Sequence, residues 1–186
     1  MWNLWTRTKH TSFIVNVTKG QDDKPDIGAE LKEHEQKEET QGSVITENKG
    51  YNVAFSVTLG YSGYYGPFSM PTALVYRDII TNVGNSYNPS NGFFTAPVRG
   101  VYFFTIRMFA ILNQGGYVRA SLNHNGVTKM VAEKYQPATL IEQYTDNSVT
   151  LLLEKSDTII VNLDAGKIYD DKEKRNAFTG FLLFPM

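Results

Sequence analysis

The 186-residue chain has a formal charge of −1 at pH 7, is 41% hydrophobic and 13% aromatic, and contains no cysteine. That length and apolar content suit one packed domain with a tail. The near-neutral balance gives no electrostatic case for nucleic acid or an anionic membrane surface, and the lack of cysteine excludes disulfides, thiolate zinc sites and a cysteine nucleophile.

Residues 1–50 read as an N-terminal tail or stalk, with Lys/Glu clusters, few aromatics beyond Trp2, Trp5 and Phe13, and no sustained period of two. Phe13-Ile14-Val15-Asn16-Val17 is too short and too polar for a signal core, and no apolar run approaches the roughly 20 residues of a membrane span, so neither is expected. Asn16-Val17-Thr18 matches the glycosylation sequon, a triplet that chance supplies readily, and is read as unmodified. Asp26 to Glu39 is rich in helix formers and sets Glu33 four residues before Lys37; a short helix competes there with a solvated, partly disordered linker, which the composition favours. Glycine does not recur at every third position, which excludes a collagen-like rod.

From residue 51 onward, strands alternate with Gly/Asn/Pro/Ser loops. Val53, Phe55, Val57 and Leu59 alternate with polar or small residues up to a loop at 60–67, where Tyr61, Tyr64 and Tyr65, with Phe68 beyond, are candidate ligand contacts because exposed tyrosine joins area to a polar tip, with packing over the end of the sandwich as the equal alternative. Short strands are expected at Thr72–Tyr76 and Ile79–Asn82, then turns on either side of Tyr87. Gly100–Leu112 reads as a long central strand. Further strands are expected at Tyr117–Leu122, Val127–Tyr135, Val149–Glu154, Thr158–Leu163 and Ala177–Phe184, with a turn at 123–126 and a loop at 165–176 whose mixed charge makes it a second candidate binding surface. About ten strands imply an all-β sandwich or jelly roll of two packed sheets.

The central strand is apolar on both faces. Tyr102, Phe104, Ile106, Met108 and Ala110 point one way, while Val101, Phe103, Phe109 and Ile111 point the other, interrupted only by Thr105 and Arg107. The last strand repeats the pattern, with Phe178, Gly180, Leu182 and Phe184 on one face and Phe181 and Leu183 on the other. A sheet wet on one side would alternate cleanly, so neighbouring subunits are expected to cover this one, with Phe103, Phe109, Phe181 and Leu183 as interface candidates.

Catalytic signals are missing. His10, His34 and His124 lie far apart, with His124 read as a solvated hairpin histidine, and Gly60-Tyr61-Ser62-Gly63 fails the spacing of a nucleophile elbow. No catalytic residue, no metal ligand and no enzyme activity are expected.

The order Tyr76, five residues, Asn82, four residues, Tyr87, six residues, Phe94, five residues, Gly100-x-Tyr102-x-Phe104 resembles the signature of the complement C1q globular-head family. Ala54-Phe55-Ser56, Asn91 to Pro97, Asn125-Gly126 and Phe178 to Pro185 extend the likeness over residues 52–186, and the closing segment is especially similar to cerebellins and short fish C1q-like proteins. The resemblance implies a ten-stranded jelly roll of the tumour necrosis factor type that forms a homotrimer, is secreted, and binds protein, glycan or microbial ligands through apical and flanking loops, in innate immunity or cell-surface organisation. An intracellular trimeric scaffold is the alternative. Two departures stand out: Tyr76 occupies a position where the family usually has Phe, and Lys155-Ser156-Asp157 replaces a common Lys-Gly-Asp turn. The cysteines that link cerebellin trimers are absent. No cofactor is expected, with calcium, held near the apex in some members, as the one to weigh: it needs roughly 6 to 8 oxygens, Asn123 and Asn125 are neutral, Tyr117 stands where relatives can carry an acid, and Asp164, Asp170 and Asp171 could serve.

Overall fold

The computed structural model describes residues 32–38, 52–137, 139, 141–171 and 173–186. The tail expected over residues 1–50 lies outside the described residues except at 32–38, an exposed helix in a unit distinct from residues 43–186. Lys37 Nζ sits 2.8 Å from Glu33 Oε1 one turn earlier. A helix thus stands where composition favoured a linker, because strong helix formers run through it and the Glu-before-Lys order suits the backbone dipole.

The β domain contains β1 (Ala54–Thr58), β2 (Gly63–Tyr65), β3 (Thr72–Ala73), β4 (Asp78–Val83), β5 (Phe94–Thr95), β6 (Gly100–Leu112), β7 (Gly116–His124), β8 (Val127–Gln136), β9 (Ile141–Leu153), β10 (Thr158–Ala165), β11 (Ile168–Asp170) and β12 (Ala177–Pro185). One antiparallel sheet runs β4-β1-β12-β6-β9; the second runs β3-β10-β7-β8 with β5 also on β10; β2 and β11 form a small third ribbon. This is a jelly-roll sandwich whose inner faces follow the period-two pattern. Phe55, Val57, Tyr102, Phe104, Ile106 and Phe178 from the first sheet meet Val118, Ala120, Leu122, Ile159, Val161 and Leu163 from the second, all buried. Aromatic rings fill the centre: Phe55 stacks on Tyr87 with centroids 5.2 Å apart and meets Phe178 edge-on at 4.8 Å. Gly180 makes this packing geometrically allowed, since a Cβ there would lie 2.5 Å from Phe104 Cδ1 and 2.6 Å from Phe55 Cε1.

Turn chemistry agrees with the sequence at Asn125-Gly126, whose φ values of 48° and 80° give the paired left-handed residues of a tight hairpin between β7 and β8. The exposed edge of β8 is capped rather than left open: Asn147 Nδ2 donates to Val131 O at 2.8 Å and Thr145 Oγ1 to Glu133 O at 3.2 Å, so β9 side chains occupy edge carbonyls that would otherwise template another strand.

Several boundaries differ from the sequence expectation. The loops at 60–67 and 165–176 contain β2 and β11, which pair with each other in the register Tyr64–Tyr169. β9 begins at Ile141, not Val149, because its polar first half is recruited by backbone pairing to the far end of β6. Phe94–Thr95, where no strand was expected, pairs with β10. Phe184 leaves the core face expected for it and is 53% exposed, because a bulge between Leu182 and Phe184 shifts the register against β6.

Candidate binding surfaces

The signature residues build the scaffold. Tyr76, Tyr87, Phe94, Tyr102 and Phe104 are all buried in the core. Asn82 clips the chain at Tyr87, donating from Nδ2 to Tyr87 O at 2.9 Å and accepting from Tyr87 N at 3.3 Å. Tyr87 Oη in turn accepts from Tyr76 N and donates to Tyr76 O, both at 3.0 Å. Burial pushes the Tyr87 phenol up to about 12, partly offset by that backbone bond, and pushes Tyr76 well above the ordinary tyrosine value. Tyr76 Oη itself is buried with no hydrogen-bond partner among the described residues. Gly100 lets Leu182 and the carbonyl of Phe184 approach, as a Cβ there would meet them at 2.7 and 2.8 Å.

The outer face of the first sheet is zoned along its strands. Val83, Ala54, Phe181, Phe103 and Thr150 are register neighbours across all five strands, and Phe184, Val101 and Leu152 form the next row. Phe103 and Phe181 touch with ring centroids 5.3 Å apart. Phe181 is 36% and Leu183 48% exposed. Next comes a row of hydroxyls, Thr81, Ser56, Thr179, Thr105 and Ser148, then a charged row that includes Asp78, Arg107 and Asp146. The interface candidate Phe109 lies beyond these and is only 1% exposed, because its own chain covers it: Tyr144 packs at 4.8 Å and the Arg175 guanidinium sits 4.6 Å above the ring.

The aromatic loop is held in place by contacts among its rings. Tyr61 meets Tyr65 edge-on at 5.4 Å, Tyr65 meets Phe68 at 5.0 Å, and Tyr64 lies between Tyr169 and the Lys167 ammonium, 4.1 Å from its ring centroid. Beside Tyr61 opens a cleft of about 480 Å³ whose walls include Arg77, Asp78, Asp170, Asp171 and Lys174. Asp170 is buried and accepts from Tyr61 N at 3.0 Å and from Asn176 Nδ2 at 2.9 Å. Asp171 is bonded by Arg175 Nε at 2.7 Å. Lys174 adopts a left-handed φ of 56°, and its ammonium reaches Asp78 at 3.3 Å. A lysine in that conformation costs about 1–2 kcal/mol.

His124 is a partly buried member of a turn cluster and not a solvated residue. Its Nε2 lies 2.8 Å from Asp157 Oδ2, while Asp157 also accepts from Asn125 Nδ2 at 2.8 Å and Glu154 N at 2.9 Å. The Asn125 amide, the Glu154 N–H and His124 hold the Asp157 carboxyl below the usual range. The calcium candidates are engaged by protein partners: Ser121 Oγ donates to Asp164 and accepts from Asn123 Nδ2, Thr128 donates to Asn123, and Asp170 and Asp171 are bonded as described. Among the described residues no three acidic or imidazole side chains cluster to hold a metal ion.

The sequence profile of the C1q domain matches residues 54–183. The chain belongs to the C1q domain family. It is 32% identical over 113 residues to mouse complement C1q tumor necrosis factor-related protein 3, covering 61% of this chain and 45% of that protein, so it spans less than half the length of such relatives. Among solved structures, the globular domain of zebrafish complement 1qA superimposes with a TM-score of 0.53 at 17% identity, covering 72% of this chain and 99% of that one. Eiger TNF from S. frugiperda does so with a TM-score of 0.56 at 12% identity, covering 73% and 95%. These two likenesses establish the C1q and tumour necrosis factor jelly roll. The C1q signature thus marks core residues, and the surfaces lie elsewhere. Sequence reading missed Arg77 and Asp78, whose only signal is charge at the start of an apolar edge strand, while Lys174 falls in the candidate loop at 165–176.

Proposed function

We propose that this C1q domain acts as a non-enzymatic, homotrimeric recognition module outside the cell, with residues 1–50 as a stalk and loops of the β domain presented to protein, glycan or microbial ligands. The observation that carries it is the apolar end of the first sheet. Leu152, Phe181, Leu183 and Phe184 are each about half covered by their own chain, so closing the rest contributes on the order of 1 kcal/mol per side chain. A single chain leaves that surface wet, which soluble monomers rarely tolerate in one continuous patch. Three copies convert weak single-site contacts into avidity.

Sedimentation velocity at micromolar concentration tests this reading: a trimer is expected, and Leu183→Asp, which sets three carboxylates into the contact, should shift it to monomer. A stable, folded monomer of the unsubstituted chain would falsify the proposal. Recovery of the chain from culture medium, as opposed to lysate, separates the extracellular module from an intracellular scaffold.

A further inference from the structure

We propose that the cleft beside Tyr61 is a binding site for a neutral saccharide; the inference rests on the recognition reading above and deepens it by naming the ligand class. The cleft, about 480 Å³, has the size of a small-molecule site. Its lining rules out the other ligand classes. Asp78, Asp170 and Asp171 face Arg77, Lys174 and, paired with Asp171, Arg175, so the cleft carries no cationic excess to hold a small anion. A bare cation finds carboxylates already bonded by Tyr61 N, Asn176, Arg175 and Lys174. An apolar ligand would strip water from charged groups without replacing their bonds.

A polyol matches all of these groups together. Each sugar hydroxyl donates and accepts, so adjacent hydroxyls can give to Asp78 while taking from Lys174 across their 3.3 Å gap, and the Arg77 guanidinium has no hydrogen bond or ion pair among the described residues and offers a planar fork to a third. Tyr61, 44% exposed, presents an aromatic wall for the C–H face of a pyranose. The wall is preformed: buried Asp170 anchors the Tyr61 backbone and Tyr65 braces its ring. The Lys174 ammonium is held by Asp78 at 3.3 Å, and its backbone is left-handed, strain of a kind that structures retain at binding sites. Thr58 and Asp78, which line the cleft, belong to a register row four residues, about 13 Å, from the Phe103–Phe181 row, so the cleft stands apart from the apolar end.

Saturation-transfer NMR on the full chain with the methyl glycosides of mannose, galactose and N-acetylglucosamine, each at about 20 mM, reads out millimolar sites. Saturable binding of at least one is expected, weakened roughly tenfold by Tyr61→Ala and by Asp78→Asn. Lys174→Gly should weaken it too while raising the melting temperature, because it removes the ammonium and relieves the backbone; a purely structural lysine would not separate the two. Failure of all three sugars, binding indifferent to these substitutions, or displacement of the sugar by equimolar calcium chloride or sodium phosphate overturns the assignment. Sedimentation of the same samples keeps the readings apart: no sugar binding by an intact trimer removes the site alone, whereas a monomer removes the trimeric module.

Discussion

Two tyrosines eleven residues apart differ by the fate of one hydroxyl, and deleting each should move stability in opposite directions. Tyr87 Oη bonds both the N–H and the C=O of Tyr76 at 3.0 Å in the buried interior. Tyr87→Phe strands both groups, each at roughly 1–3 kcal/mol, so a loss of about 3 kcal/mol is expected. Tyr76 Oη is buried without a partner among the described residues. Removing it in Tyr76→Phe recovers a desolvation cost of about 1–2 kcal/mol, less ~0.2 kcal/mol for a void on the order of 10 Å³, for a net gain near 1 kcal/mol. Urea denaturation at one fixed protein concentration gives both values, since association contributes to apparent stability. The melting temperature of Tyr76→Phe should rise by about 3 °C. A loss of 1 kcal/mol or more in Tyr76→Phe refutes the reasoning, for it means the hydroxyl is bonded, through a trapped water or otherwise.

Alkali should unfold the domain through the same residues. Their folded pKa values are raised, to about 12 for Tyr87, above the unfolded tyrosine value near 10. Stability is therefore fully present below about pH 10 and lost as pH rises from there, to about pH 12 for Tyr87 and beyond it for Tyr76, at roughly 1.4 kcal/mol per pH unit for each such tyrosine; circular dichroism of Tyr76→Phe against pH should show one tyrosine's share removed from the slope. Ser156 holds a left-handed φ of 75°, so Ser156→Gly should stabilise the β9–β10 turn by about 0.5 kcal/mol after the added chain entropy, read from the urea midpoint. Gly180→Ala forces a methyl into the Phe55 and Phe104 rings and should cost about 3 kcal/mol in the same assay; a cost under 1 kcal/mol would show that the rings yield.

The departures from the C1q pattern acquire physical meaning only in three dimensions. Tyr76 in place of Phe reads as a mild change along the chain, and the packed interior makes it a phenol without a bond. Ser156 in place of Gly becomes a β-carbon in left-handed backbone. Phe109 illustrates the reverse: its strand parity assigns it to the outer face, yet Tyr144 and Arg175, which arrive from distant segments, seal it within one chain.

Local pattern determined a great deal of this protein. Period-two alternation and turn residues suffice for the sandwich, the hairpin at Asn125-Gly126 and the core face of β6, because side-chain parity and left-handed turn positions are properties of neighbouring residues. The pairing of β2 with β11, the bulge that turns Phe184 outward, the early start of β9 and the cleft that joins Tyr61, Asp78 and Lys174 were decided by tertiary structure alone. Each depends on hydrogen bonds and charges between segments far apart in sequence, and such partners carry no periodicity that a single strand's residues can display.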